Sequence, residues 1–94
     1  MTFPTIHLNG SSAKELVKGY EDAARAVNQA MVMLALTGPH GRDYYPQDQR
    51  GREGKTIDEA YIEHCERMGR LRLVYDELVA LVQHIVEQDP KVRV

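Results

Sequence analysis

Hydrophobic residues in the first half of the chain recur at alternating spacings of four and three, the period of an amphipathic α-helix. Ser12 with Glu15 fits a capping box at the start of this pattern, and Gly38 followed by Pro39 ends it. The pattern therefore predicts a helix over residues 12–37. Its apolar seam consists of Leu16, Tyr20, Ala23, Val27, Ala30 and Leu34, and Val17, Ala24 and Met31 widen it.

The second half carries a longer seam of the same period. Thr56 with Glu59 forms another capping box, and Asp89 followed by Pro90 stops the pattern. A second helix over residues 56–88 follows. Its seam consists of Ile57, Tyr61, His64, Met68, Leu71, Tyr75, Leu78, Val82 and Ile85.

The segments outside these helices complete a simple architecture. Residues 1–10 read as an extended arm, residues 38–55 as a loop and residues 89–94 as a frayed tail. We predict one all-α domain over residues 1–94, folded as a two-helix antiparallel hairpin with an extended N-terminal arm.

The two predicted helices have unequal lengths, roughly 38 and 50 Å, so part of the longer one lacks a partner. Four apolar side chains there spread beyond the seam, namely Val74, Val79, Leu81 and Val86. Leaving them exposed would forfeit roughly 1.5–3 kcal/mol each. We therefore expect a helical-bundle homo-oligomer. The alternative is that the N-terminal arm covers this end of the helix.

Composition and charge narrow the class of protein. The net charge of −2 gives no general attraction to nucleic acid or to anionic membrane. Cys65 is the single cysteine, which excludes an intramolecular disulfide, and no apolar run approaches the roughly 20 residues of a membrane span. We expect a cytoplasmic protein without bulk nucleic-acid binding.

The predicted loop holds the candidate chemistry. Tyr44 and Tyr45 stand among turn formers and charged residues, next to His40, Arg42 and Asp43. Aromatic rings stack on bases and guanidinium groups bind phosphate, so this composition is typical of nucleotide recognition. The alternative is that the tyrosines anchor the loop and its charges only keep it soluble.

Further cations and one amide extend this candidate site. Arg50, Arg52 and Lys55 lie later in the loop and are weaker candidates. Asn9 precedes the first predicted helix, where backbone N–H groups are able to hold an anion, although capping by Ser12 competes for them. Gly69, in the middle of the second helix, suggests close approach of another backbone or a ligand.

Sequence motifs of enzymes and metal sites are missing. No phosphate-binding glycine loop, zinc-protease motif or Cys-x-x-Cys pair occurs. His64 and Cys65 are adjacent and so lie about 100° apart on a helix, unsuited to one metal ion or a catalytic pair. We expect a non-catalytic protein without metal or cofactor, in which His64 is a hydrogen-bonded core residue.

Two short blocks resemble a family of small bacteriophage and prophage proteins of unassigned role. They are Thr-Ile-His-Leu-Asn-Gly-Ser-Ser at residues 5–12 and Gly-Arg-Asp-Tyr-Tyr-Pro-Gln at residues 41–47. The architecture is also similar to the helical-hairpin sponge proteins with which phages capture nucleotide immune signals. That second likeness is one of fold alone and assigns no residues.

These resemblances imply a phage-encoded anti-defence protein in the host bacterial cytoplasm. Together with the composition of the loop, they predict a protein that sequesters a nucleotide-derived immune signal through Asn9 and the loop residues, without catalysis. The alternative is a protein–protein interaction module that inhibits a host defence protein, or a small structural phage component.

Overall fold

The computed structural model describes residues 1–47 and 55–93, whose regular secondary structure is helical without strands. Helix α1 spans Ala13–Ala35, α2 spans Gly41–Gln47 and α3 spans Lys55–Gln88, followed by a 3-10 helix at Pro90–Arg93. The all-α prediction is confirmed. The described residues hold three α-helices, however, where the hydrophobic pattern predicted two.

Helix α1 begins where its capping signal placed it. Ser12 is the N-cap, with extended backbone angles, and its hydroxyl oxygen accepts a hydrogen bond of 3.1 Å from the backbone N–H of Glu15. The helix ends at Ala35, two residues earlier than predicted, because the chain turns at Leu36 and Thr37. Helix α3 begins at Lys55, one residue earlier than predicted, and ends at Gln88.

Helix α2 occupies part of the segment predicted to be a loop. The backbone N–H of Asp43 donates to the carbonyl of His40 at 3.0 Å, and the N–H of Arg42 donates to Nδ1 of His40 at 3.2 Å. His40 thereby caps α2. The helix is too short to show periodicity in the sequence, and Gly41 and Pro46 are residues that normally disfavour a helix. The rest of that loop, residues 48–54 with Arg50 and Arg52, lies outside the described residues.

Helices α1 and α3 pack against each other. The start of α1 lies against the end of α3, and a Cβ placed on Gly38, just past α1, would lie 3.6 Å from Nε2 of His64. The molecule measures 64 × 21 × 18 Å, with a radius of gyration of 19.9 Å. A compact chain of this length has a radius of about 12 Å. The fold is a rod.

One end of the rod holds the main core. Ala13 and Val17 of α1 pack with Val82 and Ile85 of α3, and Ile85 is fully buried. We call this the closed end. Partly buried side chains surround it, namely Ile6, Leu16, Tyr20, Val86 and Val92.

The N-terminal arm and the 3-10 helix add cover at the closed end. The side-chain amide of Gln88 donates to the Pro4 carbonyl and accepts from the Ile6 N–H, both at 2.9 Å. The ring of Phe3 stacks on His84 with centroids 4.5 Å apart. Within the predicted tail, Pro90–Arg93 form the 3-10 helix, and Val92 packs against the core.

The arm therefore covers part of the surface from which self-association was predicted. Val86 and Leu81 are partly buried, whereas Val74 and Val79 remain 44% and 42% exposed. The arm thus covers the last turns of α3 but leaves Val74 and Val79, in the middle of the helix, exposed.

The buried residues of α1 are Ala13, Val17, Ala24 and Met31, and the last three are those predicted to widen the seam. The predicted seam itself is partly buried except at Ala30, which is exposed. On α3 the predicted seam is at least partly buried except at Tyr61, which is 60% exposed. No helix of the described chain is both long enough and apolar enough to cross a membrane.

Candidate ligand-binding site

A pocket of about 240 Å³ lies at the end of the rod opposite the core, where the end of α1, helix α2 and the first half of α3 meet. Leu34 and Pro39 supply apolar wall. Its polar lining comes from Asp43, Tyr44, Glu63, His64 and Arg67. We call it the corner pocket.

Local sequence explains how these side chains meet. Gly38 and Pro39 end the first helical segment and redirect the chain, so that α2 returns across α3. On α3, Glu63 and Arg67 stand one turn apart and share a face. Tyr44 is the half-buried residue of α2, and its ring lies in the pocket wall.

The charged groups of the pocket are not neutralised within the described chain. Glu63 and Arg67 have the spacing of a helical ion pair, yet within the described residues no ion pair joins them. Within residues 1–47 and 55–93, Arg67 makes no hydrogen bond or ion pair. A guanidinium group in this state is a binding group for phosphate or carboxylate.

The structure brings together some of the residues predicted from sequence. Asp43 and Tyr44 line the corner pocket. His40, Arg42 and Tyr45 lie on the same short segment but outside the lining, and His40 is engaged in capping α2. Tyr45 is 56% exposed.

Asn9 lies at the other end of the rod. It belongs to a turn, closed by a hydrogen bond of 3.2 Å from the Gly10 N–H to the His7 carbonyl, that leads into the start of α1. The 23 residues of α1 rise roughly 33 Å. Within a single chain, Asn9 therefore does not share a site with the other five predicted residues.

Sequence reasoning missed the contribution of α3 to this site. In sequence, Glu63 and Arg67 look like an ordinary solvated pair one turn apart on a helix, and the seam position of His64 predicts a core residue. His64 is partly buried, as its seam position predicts, and also lines the pocket. Folding the two helices back at Gly38 would have placed His64 opposite the start of the loop, and that alignment was the available signal.

Metal and nucleophile chemistry finds no support among the described residues. Within them, no three His, Cys, Asp or Glu side chains come close enough to hold one metal ion. Cys65 is a free, exposed thiol, and it does not line the corner pocket. The charged and aromatic side chains that line the corner pocket are instead of the kinds that bind a ligand.

Comparison with known protein families, with curated proteins and with solved structures found no match. The geometry of the described residues therefore carries the functional argument.

Proposed function

We propose that this chain is a non-catalytic binding protein whose corner pocket holds a small nucleotide-like anion. The observation that carries the proposal is that Arg67, which has no ion pair within residues 1–47 and 55–93, lines the same recess as Tyr44. The guanidinium would bind a phosphate and the ring would stack on a base. Asp43 and Glu63 would accept hydrogen bonds from base or sugar.

The size of the pocket limits how much of a ligand it encloses. Sites for drug-sized ligands measure about 300–1,000 Å³, and the corner pocket has about 240 Å³. It would therefore hold one base or one sugar phosphate. The rest of the ligand would extend over α2, toward Arg42 and Tyr45, with His40 beside them.

A homo-oligomer is part of this proposal. The antiparallel pair of α1 and α3 would form a hairpin unit, and copies would associate through the apolar surface that one unit leaves uncovered. Asn9 would contribute to a ligand site only from a second copy, because it lies at the far end of its own chain.

The phage resemblance supplies the biological role of the proposal. A phage protein that binds a nucleotide immune signal without turning it over would protect infection by lowering the free signal in the bacterial cytoplasm. The proposal requires tight binding and no reaction products.

Calorimetry against a panel of cyclic nucleotides and cyclic ADP-ribose isomers tests the function. We expect at least one ligand to bind and to be recovered unchanged. Arg67→Ala should weaken binding roughly 10–100-fold, since a charge-assisted hydrogen bond contributes about 1.5–3 kcal/mol. The matched control is Arg70→Ala, an exposed arginine on the same helix that lies outside the pocket lining. No binding across the panel, or equal losses in both variants, contradicts the proposal.

A second candidate function is a protein–protein interaction module, either an inhibitor of a host defence protein or a small structural component. The last turns of α1 favour it, because Val32, Met33 and Leu36 are exposed there, Leu36 at 79%. Affinity capture from bacterial lysate distinguishes the two functions. A nucleotide-sequestering protein retains no stoichiometric protein partner, and an inhibitor does.

A further inference from the structure

A second and larger recess runs along one flank of the rod, between α1 and α3. It has a volume of about 850 Å³ and an apolar floor that includes Ala24, Val79, Val82 and Val86. On α3 it extends from Tyr75 to Glu87, roughly 18 Å or three helical turns. We call it the flank groove. The corner pocket has a separate lining and shares no residue with it.

The exposed area of the chain shows how much cover is missing. The accessible surface is 7075 Å² for 10.7 kDa, whereas a compact monomer of this mass exposes about 5500 Å². The excess is roughly 1500 Å². One partner of a stable complex buries about 800 Å², and obligate homodimers bury more. The excess is therefore large enough for one dimer interface on this chain.

The charges along the groove favour a second copy of the chain over a strongly charged partner. Glu87 stands at one end, Glu21 and Arg25 of α1 add one charge of each sign, and the amides of Asn28, Gln29 and Gln83 form the rest of the polar rim. Arg72 stands at the other end, with its guanidinium 5.6 Å from the centre of the Tyr75 ring. A phosphate backbone would meet the acids, and a basic peptide would meet Arg72.

A two-fold axis through Val79 would place opposite charges of the two copies next to each other. Arg72 precedes Val79 by seven residues and Glu87 follows it by eight, which is about two helical turns in each direction. When two copies pack antiparallel across the axis, the acidic end of each groove meets Arg72 of the other copy. Val79 of the two copies then meets at the centre. The existing Arg72–Asp76 pair is exposed and contributes little, so it does not prevent this exchange.

We propose that the flank groove is the homodimer interface, occupied by the flank groove of a second copy in antiparallel orientation. The inference rests on the homo-oligomeric part of the proposed function and names its surface. It does not depend on ligand binding, because the corner pockets remain outside the interface.

Val79→Glu tests the interface with a closely matched control. Val79 and Val74 are the same residue type on the same helix, with 42% and 44% exposure, about 140° apart around the helix. Only Val79 lines the groove. We expect sedimentation over a concentration series to show a wild-type dimer, a dissociation constant raised roughly 100-fold or more in Val79→Glu, and no change in Val74→Glu. Circular dichroism checks that both variants remain helical.

A charge exchange tests the orientation of the two copies. Arg72→Glu and Glu87→Arg should each weaken the dimer, because each places like charges opposite one another. The double variant should regain most of the wild-type affinity, since the pair is then restored in reverse. A double variant weaker than both single variants overturns the antiparallel arrangement.

The outcomes separate this inference from the proposed function. A wild-type chain that stays monomeric at the highest concentration overturns the oligomer and the groove interface together, whatever calorimetry shows. An oligomer unaffected by Val79→Glu overturns the groove interface alone. Loss of ligand binding in Arg67→Ala with an intact dimer leaves the interface standing.

Discussion

The two ends of the rod are built from the same pair of helices, yet they differ in how well they are packed. At the closed end Ala13, Val17, Val82 and Ile85 are buried, whereas at the corner-pocket end Val32 and Leu36 stay exposed. The difference lies in the segments that cover α1 and α3 at each end. Among the described residues, the arm and the 3-10 helix cover the closed end, and the seven residues of α2 lie at the other end.

This contrast shows what two helices alone achieve. Side by side, they bury the line of residues along which they touch and leave both flanks open. Full burial of a side chain such as Ile85 needs neighbours from a further element. Where no such element is present, the same periodic seam yields half-buried residues, a ligand-sized pocket and a groove.

The largest expected effect comes from truncating equivalent isoleucines at the two ends. Ile85→Ala should lower the free energy of unfolding by about 2–4 kcal/mol, because it empties a fully buried site. Ile57→Ala, on the same seam but only partly buried, should cost about 1 kcal/mol. Thermal unfolding of both variants checks this, at about 4–8 °C per kcal/mol. Equal losses would show that the two ends are packed alike.

A smaller effect should follow from loosening the arm. In Gln88→Glu the carboxylate still accepts from the Ile6 N–H but loses the donor to the Pro4 carbonyl, a change of about 0.5–1.5 kcal/mol. Hydrogen exchange at the Ile6 amide should become faster, while amides of α3 near His64 keep their rates. The control is Gln47→Glu, which makes the same change at the exposed end of α2, outside both the flank groove and the corner pocket. Equal acceleration in both variants would contradict the role of Gln88.

The smallest effect belongs to neither end. A hydrogen bond of 2.7 Å from Lys18, with added attraction from Lys18 and Arg25, holds the pKa of Asp22 below 3.8. A depressed pKa stabilises the fold above the unfolded-state value, and the contribution is lost as pH falls through the folded-state value. Carboxyl resonances in NMR should show Asp22 titrating below 3.8 and moving up in high salt or in Lys18→Met. Lys14→Met is the control, and an unshifted pKa in wild type would contradict the pairing.

Much of the fold follows from periodicity, and the errors have identifiable causes. The spacings of four and three predicted α1 and α3 because long amphipathic helices carry many redundant matches. On α1 the prediction differs from the structure at Ala30, which is exposed, because Ala24 and Ala30 look alike in sequence. Helix α2 was missed because His40 caps it from outside and Pro46 lies inside it.

The candidate site was predicted in part. Asp43 and Tyr44 were found because they stand out in composition from the turn formers around them. Glu63 and Arg67 were not, since on one helix they look like any solvated pair, and only the return of α2 across α3 gives them a different environment. Asn9 was predicted because it precedes the first helix, and that position says nothing about its distance from the loop.

The bonds from Gln88 to Pro4 and Ile6 join positions more than 80 residues apart. The ribosome has to add every residue between Ala13 and Val82 before the two halves of the closed end can meet. At about 5–20 residues per second this takes roughly 4–14 s. During that interval Val17 and its neighbours have no native partner, so newly made α1 is the segment that chaperones or sister chains on the same message would encounter first.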